Sequence, residues 1–294
     1  MSNKSLKLSV CATSYNHVNF IETCLKSLLN QRTNFEYEII IGDDCSDDGT
    51  AQILRNYQNK HPDKIKVIEH KNNIGGRSNL IATHSAAKGE YIAHMDCDDY
   101  ASPGKLQAQV DILDNEPECN IVWHRMKILE EKSGHIRNDM ISLPLIWERQ
   151  FTRADLFRFG SIGGHSSKMY RAKYRNFEYS PNQGLDYTFD ILNIDHGYAR
   201  YIGDFYGVYR VQAATDSTLS TRRKYLKQLV YFNSVFPEHI EDISENALMQ
   251  SLACLKNFDF NFWYALRIFL SSKSIKPLFK LVQDWRMRRC FRLK

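Results

Sequence analysis

The first hundred residues alternate short apolar runs with stretches of helical period. Leu6 to Ala12 is mostly apolar and stops in the polar loop Thr13-Ser14-Tyr15-Asn16-His17, which predicts a strand and the loop that leaves it. Phe20, Ile21, Cys24, Leu25, Leu28 and Leu29 then recur on one helical face. Tyr37 to Ile41 is apolar and β-branched at consecutive positions, as expected of a strand covered on both faces, and it ends at Gly42-Asp43-Asp44. Asp47, Asp48, Gly49 and Thr50 make a turn and a helix start, with Asp47 or Asp48 as the capping acid. That helix carries Ile53, Leu54 and Tyr57 and gives way near Pro62. Ile65 to Ile68 predicts a third strand, Leu80 to Ala87 a helix closed by Gly89, and Tyr91 to Met95 a fourth strand ending at Asp96-Cys97-Asp98-Asp99.

Alternation of this kind predicts an α/β fold, a parallel sheet with helices on both faces. Such sheets bind ligands outside the carboxyl ends of their strands. Three polar clusters fall at those ends: 13–17, 43–48 and 96–99. The stretch from 102 to about 220 is less regular. Ser102-Pro103 reads as cap and first residue of a helix running through Leu113. Ile121–Leu129 and Tyr201–Val211 read as strands, Thr152–Phe159 as a short helix, and Gly184–His196 as a helix with Leu185, Phe189 and Leu192 inward. From 217 onward the pattern is helical. The chain thus divides at about 105 and 216, with no linker marking either place and no internal repeat.

Composition narrows the class without naming an activity. The 294 residues are 43% hydrophobic and 25% charged, ordinary for a folded globular protein. No apolar run is long enough for a bilayer span, and Met1–Val10 lacks the apolar core of a secretory signal. The seven cysteines include no C-x-x-C pair, which favours reduced thiols and a cytoplasmic location over a disulfide frame or a structural zinc site.

Three carboxylates on the tight loop Asp96-Cys97-Asp98-Asp99 repel one another unless a cation neutralises them. Hard oxygen donors suit Mg²⁺ or Mn²⁺, which typically takes one or two carboxylates and completes its shell with substrate phosphates. A solvated acidic turn is the plain alternative. A carboxylate of the second acidic pair, Asp43-Asp44, can accept from a ring N–H such as uracil N3. Tyr15 can stack on a base. Arg77, after Gly75-Gly76, can reach phosphate as a charged fork. Trp123 and Trp147 read as core residues rather than sugar platforms, and His165, in a glycine-rich loop, is a candidate acceptor contact.

These motifs resemble glycosyltransferase family 2. The resemblance is carried by Leu8-Ser9-Val10-Cys11-Ala12-Thr13-Ser14-Tyr15-Asn16, by Ile39 through Thr50, by Asn72 through Arg77 with Lys88 through Ile92, and by Asp96-Cys97-Asp98-Asp99 with Pro103. It implies a GT-A fold: a Rossmann-like, mostly parallel sheet with a C-terminal helical extension. Residues 1–105 would be its nucleotide-sugar-binding half, 106–216 its acceptor half and 217–294 the extension. It implies inverting transfer of a sugar from a UDP-sugar to a hydroxyl of a glycan or lipid-linked glycan, with Mn²⁺ or Mg²⁺ as cofactor, in bacterial surface polysaccharide synthesis. Thr13, Tyr15 and Asp44 would hold the base, with Arg77 near it. Asp96 would face the ribose, and Asp98 would bind the metal–diphosphate with Asp99 as a further candidate. Arg210 would close over the diphosphate. Asp186 would be the general base, with Asp190 and Asp195 as rivals further along. Family members often carry His two positions after that arginine; here Gln212 stands there.

A nucleotidyltransferase would have a glycine-rich, arginine-containing loop where this chain has Thr13-Ser14-Tyr15-Asn16. A non-catalytic sugar-nucleotide binder would not need Asp186. From Trp263 onward, nine Lys and Arg stand against the single acid Asp284, interleaved with aromatics. That tail suits either a membrane surface or a solvated helical lid, and no nucleic-acid motif accompanies it.

Overall fold

The computed structural model describes residues 6–139, 144–177, 186–211, 218–284 and 287. Its elements run β1 (Leu8–Ser14), α1 (Ile21–Leu29), β2 (Tyr37–Asp43), α2 (Thr50–Lys60), β3 (Ile65–Glu69), α3 (Gly76–Ser85), β4 (Tyr91–Asp96), β5 (Tyr100–Ala101), α4 (Lys105–Asn115), β6 (Cys119–Glu130) and β7 (His135–Asn138). There follow α5 (Pro144–Trp147), α6 (Arg153–Phe159), β8 (Met169–Arg171), α7 (Asp186–Asn193), β9 (Tyr198–Val211), α8 (Thr218–Val235), α9 (Ile240–Lys256), α10 (Phe262–Leu270) and α11 (Lys276–Gln283).

One sheet joins all nine described strands in the order β3-β2-β1-β4-β8-β6-β9-β5, with β7 hairpinned onto β6. The first four are parallel, as the βα alternation predicts. β8 then runs antiparallel between β4 and β6, and β6 pairs parallel with β9. The chain moves outward from β1 to β2 and β3, then returns to place β4 on the other side of β1. That reversal opens a crevice above the carboxyl ends of β1, β2 and β4.

Side-chain alternation along β1 builds two cores. Leu8, Val10 and Ala12 point to a layer holding Ile21, Cys24, Leu25 and Leu28 of α1 and Leu54 of α2. Cys11 points the other way, into a layer with Ile121, Trp123, Leu156, Tyr170 and Phe232. Trp123 lies fully within this second core, and the C-terminal helices α8, α9 and α10 complete it through Leu226, Ala247 and Ile268. Among the described residues no helix is long and apolar enough to cross a membrane.

The structure departs from the sequence pattern at Ser102, at Gly89 and in α7. Ser102 does not cap a helix; its N–H donates to the Tyr206 carbonyl as an extension of β5, and α4 starts at Lys105 after Gly104 turns the chain at φ 85°. Gly89 does not close α3, which ends at Ser85 with Ala86 as its cap. Gly89 instead lets the chain pass against β1, where an added Cβ would lie 2.4 Å from the Ser9 amide nitrogen and 2.6 Å from the Leu8 carbonyl carbon. In α7 residues 187–191 and Asn193 are buried all round the helix, while Leu192 is only partly covered; Leu185 lies outside the described residues. Because the β1 backbone against Gly89 cannot yield, Gly89→Ala should lower unfolding stability by about 1–3 kcal/mol in urea titration. An unchanged midpoint would contradict this close approach.

Candidate active site

The crevice above β1, β2 and β4 is a cleft of about 470 Å³ lined by Thr13, Tyr15, Asp44, Gly75, Asp96 and Asp98, with Ser14, His17, Asn73, Gly76, Asn79 and Tyr209 completing its wall. The structure therefore brings together five of the predicted site residues from three strand ends. Tyr15 is 47% exposed, its ring free to meet a planar ligand.

The loops that hold these residues are stitched to each other. The Asn16 N–H donates to Ser46 Oγ at 2.9 Å, its side-chain oxygen accepts from the Asp47 N–H at 3.1 Å, and the Val18 N–H donates to Asp48 Oδ2 at 2.9 Å. Asp48 also accepts from Thr50, so the capping acid is Asp48. Asn16 and Cys45 both sit at positive φ, 54° and 64°, backbone strain maintained by this network. Asp43 turns back to its own loop and accepts from Ser46. Asp44, almost fully buried, accepts from the Ile74 N–H at 2.7 Å and the Gly75 N–H at 2.9 Å. It thereby fixes the loop that leads into α3, whose second residue is Arg77.

The floor of the cleft is Asp96. Its carboxylate accepts from Thr13 Oγ1 at 3.2 Å, His94 Nε2 at 3.1 Å, His165 Nδ1 at 3.3 Å and Ser166 Oγ at 3.4 Å. Burial by itself would raise this group, but the two imidazoles outweigh it and hold the carboxyl well below the usual carboxylate range. Behind His94 runs a buried relay. His94 Nδ1 lies 2.8 Å from His84 Nε2, and His84 Nδ1 lies 2.8 Å from the Tyr170 hydroxyl. With Asp96 ionised and both rings neutral, the protons have one consistent order. Tyr170 donates to His84, His84 to His94, and His94 to Asp96. Burial is the leading reason both imidazoles stay neutral: it pushes His84 well below the ordinary histidine value and His94 down to about 4.

The remaining acids differ in kind. Asp98 faces the cleft, and burial together with the neighbouring Asp96 raises its carboxyl. Asp99 turns inward: it is buried, accepts from the Arg210 N–H at 2.8 Å, and is pushed well above the usual range by burial and by Asp96 and Asp98. It braces the turn instead of joining the cleft wall. Arg210 does not reach over the cleft either. Its Nε donates to the Asp98 carbonyl at 2.8 Å, its Nη1 meets Glu131 at 2.6 Å, and its guanidinium stacks 4.7 Å over Phe20. His165 stands beside the same floor, its Nδ1 3.3 Å from Asp96 Oδ2.

The turn 165–167 is bolted from below. Lys105, fully buried with its pKa lowered by burial to about 8, donates to the Ser166 carbonyl at 2.6 Å, and Gln109 donates to the Ser167 carbonyl at 2.8 Å. Next along the chain, Lys168 pairs with Asp190 at 2.5 Å, both groups 1% exposed. That pair ties α7 to the sheet and removes Asp190 from the candidates for a base that must meet substrate. Asp195 lies beyond α7 at φ 47°, next to the exposed His196. Asp186 is the first residue of α7; its side chain, Leu185 and Gln212 lie outside the described residues. Sequence reading missed Tyr209 and the His84–His94 relay. The signal for the relay was a histidine inside the apolar strand run Tyr91–Met95, a position that must find a partner.

The relay makes acid stability testable. An unfolded imidazole titrates near 6.5 and folded His94 near 4, so below 6.5 the unfolded chain takes up the proton first. This group leaves stability flat above pH 6.5 and costs up to about 1.4 kcal/mol per unit as pH falls from 6.5 toward 4. His94→Gln keeps an N–H for Asp96 and removes the titrating ring. The variant's urea midpoint should fall less steeply than wild type across that window; identical slopes would contradict a neutral His94.

Comparison with known proteins places this geometry. Residues 9–177 match the model of glycosyl transferase family 2. The chain is 33% identical over 129 residues to EpsE of Bacillus subtilis (strain 168), whose name gives it as a candidate glycosyltransferase; the match covers 44% of this chain and 46% of EpsE. It is 32% identical over 123 residues to the poly(ribitol-phosphate) beta-N-acetylglucosaminyltransferase TarS of Staphylococcus aureus, covering 42% of this chain and 21% of TarS. The matched segment thus spans less than half the length of these curated relatives. In fold, the crystal structure of S. aureus TarS 1–349 with UDP-GlcNAc superposes at a TM-score of 0.66, 20% identical, covering 97% of this chain and 88% of that one. The mannosyltransferase PcManGT of Pyrobaculum calidifontis, with GDP-Man and Mn²⁺, does so at 0.59, 16% identical, covering 98% and 85%. The fold is GT-A, and the chain belongs to glycosyltransferase family 2.

Proposed function

We propose that this chain transfers a sugar from a UDP-sugar to a hydroxyl of a glycan or lipid-linked glycan, inverting the anomeric carbon, in the synthesis of a bacterial surface polysaccharide. One observation carries the reading: a single cleft at the strand ends offers a flat aromatic and a buried carboxylate toward one side, Tyr15 and Asp44, and the acidic pair Asp96 and Asp98 toward the other. A nucleoside diphosphate has that polarity, base at one end and charge at the other. The UDP-GlcNAc complex of TarS and the N-acetylglucosaminyltransferase activity in its name support the donor class.

Tyr15 stacks on the base, and Asp44, its oxygens already aligned by two backbone donors, accepts from the uracil N3–H. Thr13 stands beside them, and Asp96 accepts from the ribose hydroxyls with an orientation set by its four donors. Arg77, the second residue of α3, would approach the base and phosphates. The residues present fit a hard divalent cation such as Mn²⁺ or Mg²⁺: Asp98 is a cleft-facing carboxylate raised by burial and by Asp96, a state that a cation relieves. Asp98 would hold the ion, and the ion would stabilise the charge that develops on the departing diphosphate. Arg210 and Asp99 hold the turn that presents Asp98.

Inversion by one displacement needs a single general base opposite the leaving group. Asp186, at the first position of α7, would fill that role. It takes the acceptor proton as the acceptor oxygen bonds to the anomeric carbon and the bond from that carbon to the diphosphate oxygen breaks. The buried Lys168–Asp190 pair, one turn further along α7, fixes where that position stands.

UDP release from UDP-GlcNAc and related donors, measured with a panel of glycan acceptors, tests the reading. Asp186→Asn should bind UDP as wild type does and lose transfer by at least about 10²-fold. Asp98→Asn should lose stimulation by Mn²⁺ and bind UDP weakly even with metal present. A wild-type chain that binds UDP yet transfers to no acceptor would make it a sugar-nucleotide binder. Full metal stimulation in Asp98→Asn would remove that residue from the ion's shell.

A further inference from the structure

The C-terminal helices present apolar side chains that nothing described in the chain covers. The connection from α9 to α10 is a tight turn in which Phe258, at φ 51°, is 94% exposed and Phe260 is 98% exposed. Between them Asp259 points inward. Its carboxylate accepts from Arg222 at 2.5 Å and from the backbone and side-chain nitrogens of Asn261 at 2.9 Å each. The Asp259 N–H donates to the Cys254 carbonyl and its own carbonyl accepts from Phe262. The turn is therefore a built structure: one buried acid anchors it, and its two flanking phenylalanines are held outward.

The exposed line continues from there. On α10, Trp263 is 73% exposed and shares one face with Arg267 and Leu270, at spacings of four and three. On α11, Pro277 and Leu281 are buried, while Ile275, Phe279 and Val282 stand exposed on another face. Cations border these positions: Lys256, Arg267 and Lys273 are exposed, whereas Asp259 and Asp284 are paired with Arg222 and Arg158, Glu241 and Asp242 of α9 with Lys276 and Lys280, and Glu245 is buried. The segment from Trp263 to the last residue carries nine cations against one acid.

We propose that the helices α9 to α11 dock on an anionic lipid bilayer, with Phe258, Phe260 and Trp263 entering the headgroup region and the basic residues facing lipid phosphates. A bilayer suits this surface better than a second copy of the chain, because two copies would bring like-charged segments together. Aromatic rings at a water–lipid boundary and nearby Lys and Arg on anionic headgroups are each favourable, and together they give two signals for stable attachment. The turn needs no reordering to insert, since Asp259 already fixes it. This docking stands apart from the sugar-transfer reading: it needs neither donor nor metal.

Sedimentation of the full chain with vesicles tests it. The chain should pellet with equimolar phosphatidylcholine–phosphatidylglycerol vesicles, much less with pure phosphatidylcholine, and come off at high salt. Phe258→Ser with Phe260→Ser changes only exposed side chains and should reduce the bound fraction by at least about tenfold, with UDP binding unaltered. Arg267→Gln with Lys273→Gln should weaken binding and flatten its salt dependence, an independent arm if the first variant misfolds. Wild-type chain left in the supernatant with the anionic vesicles overturns the proposal. So does wild-type pelleting of the double phenylalanine variant, or a wild-type dimer that ignores vesicles and becomes a monomer in that variant.

Discussion

The acidic turn after β4 can exist only because the Asp96 carboxylate is satisfied from behind. Three acids within four residues would repel one another and lose hydration on folding. The chain answers with four donors on Asp96, taken from β1, β4 and the 165–167 turn. It answers again with the Arg210 guanidinium on the carbonyl of Asp98 and the Arg210 amide on Asp99. The result is a division among like residues. One acid is held ionised, one is buried as a brace, and one, Asp98, is left facing the cleft. The proposed chemistry at this corner would use that division, because a hard cation and a diphosphate need a carboxylate presented to the cleft.

The same contacts explain why the irregular second half of the chain matters to the first. β8 and the preceding turn slot in beside β4, and this is how His165, Ser166 and Lys168 come under the strand end. The His94 N–H donates to the Lys168 carbonyl, so the residue that supports Asp96 is itself held by the residue that anchors α7 through Asp190. The cleft floor and the start of α7 thus share one rigid support, which the proposed transfer would need to hold its groups in place. On the far side, the loops after β1 and β2 are locked together by Asn16, Ser46 and Asp48, and Asp44 carries the lock on to the loop before α3.

The sheet's first half was legible because each strand and helix there obeys its own period and each strand ends in a polar cluster. The cleft could be placed from that alone, at the clusters 13–17, 43–48 and 96–99; the choice of Asp44, Asp96 and Asp98 within them came with the family resemblance. What escaped was every role set by contacts distant in sequence. Arg210 follows a strand-like run and reads as a mobile cation, yet Phe20, Glu131 and the Asp98 carbonyl immobilise it. Asp99 is chemically the same as Asp98 and differs only in the direction its side chain takes. His84 and His94 lie ten residues apart, and their partnership with Tyr170 requires β8 to pass between β4 and β6. Gly89 marks a helix end in the sequence pattern, while its real constraint is the backbone of β1.

The central claim is that a sugar nucleotide lies across the ends of β1, β2 and β4, with its diphosphate and a divalent ion at Asp98. Anomalous diffraction from a crystal soaked with Mn²⁺ and UDP tests it most directly. The account predicts a manganese peak bonded to the Asp98 carboxylate, with the uracil over Tyr15 and its N3 facing Asp44. Manganese and UDP bound elsewhere, with this cleft holding only solvent, would contradict it.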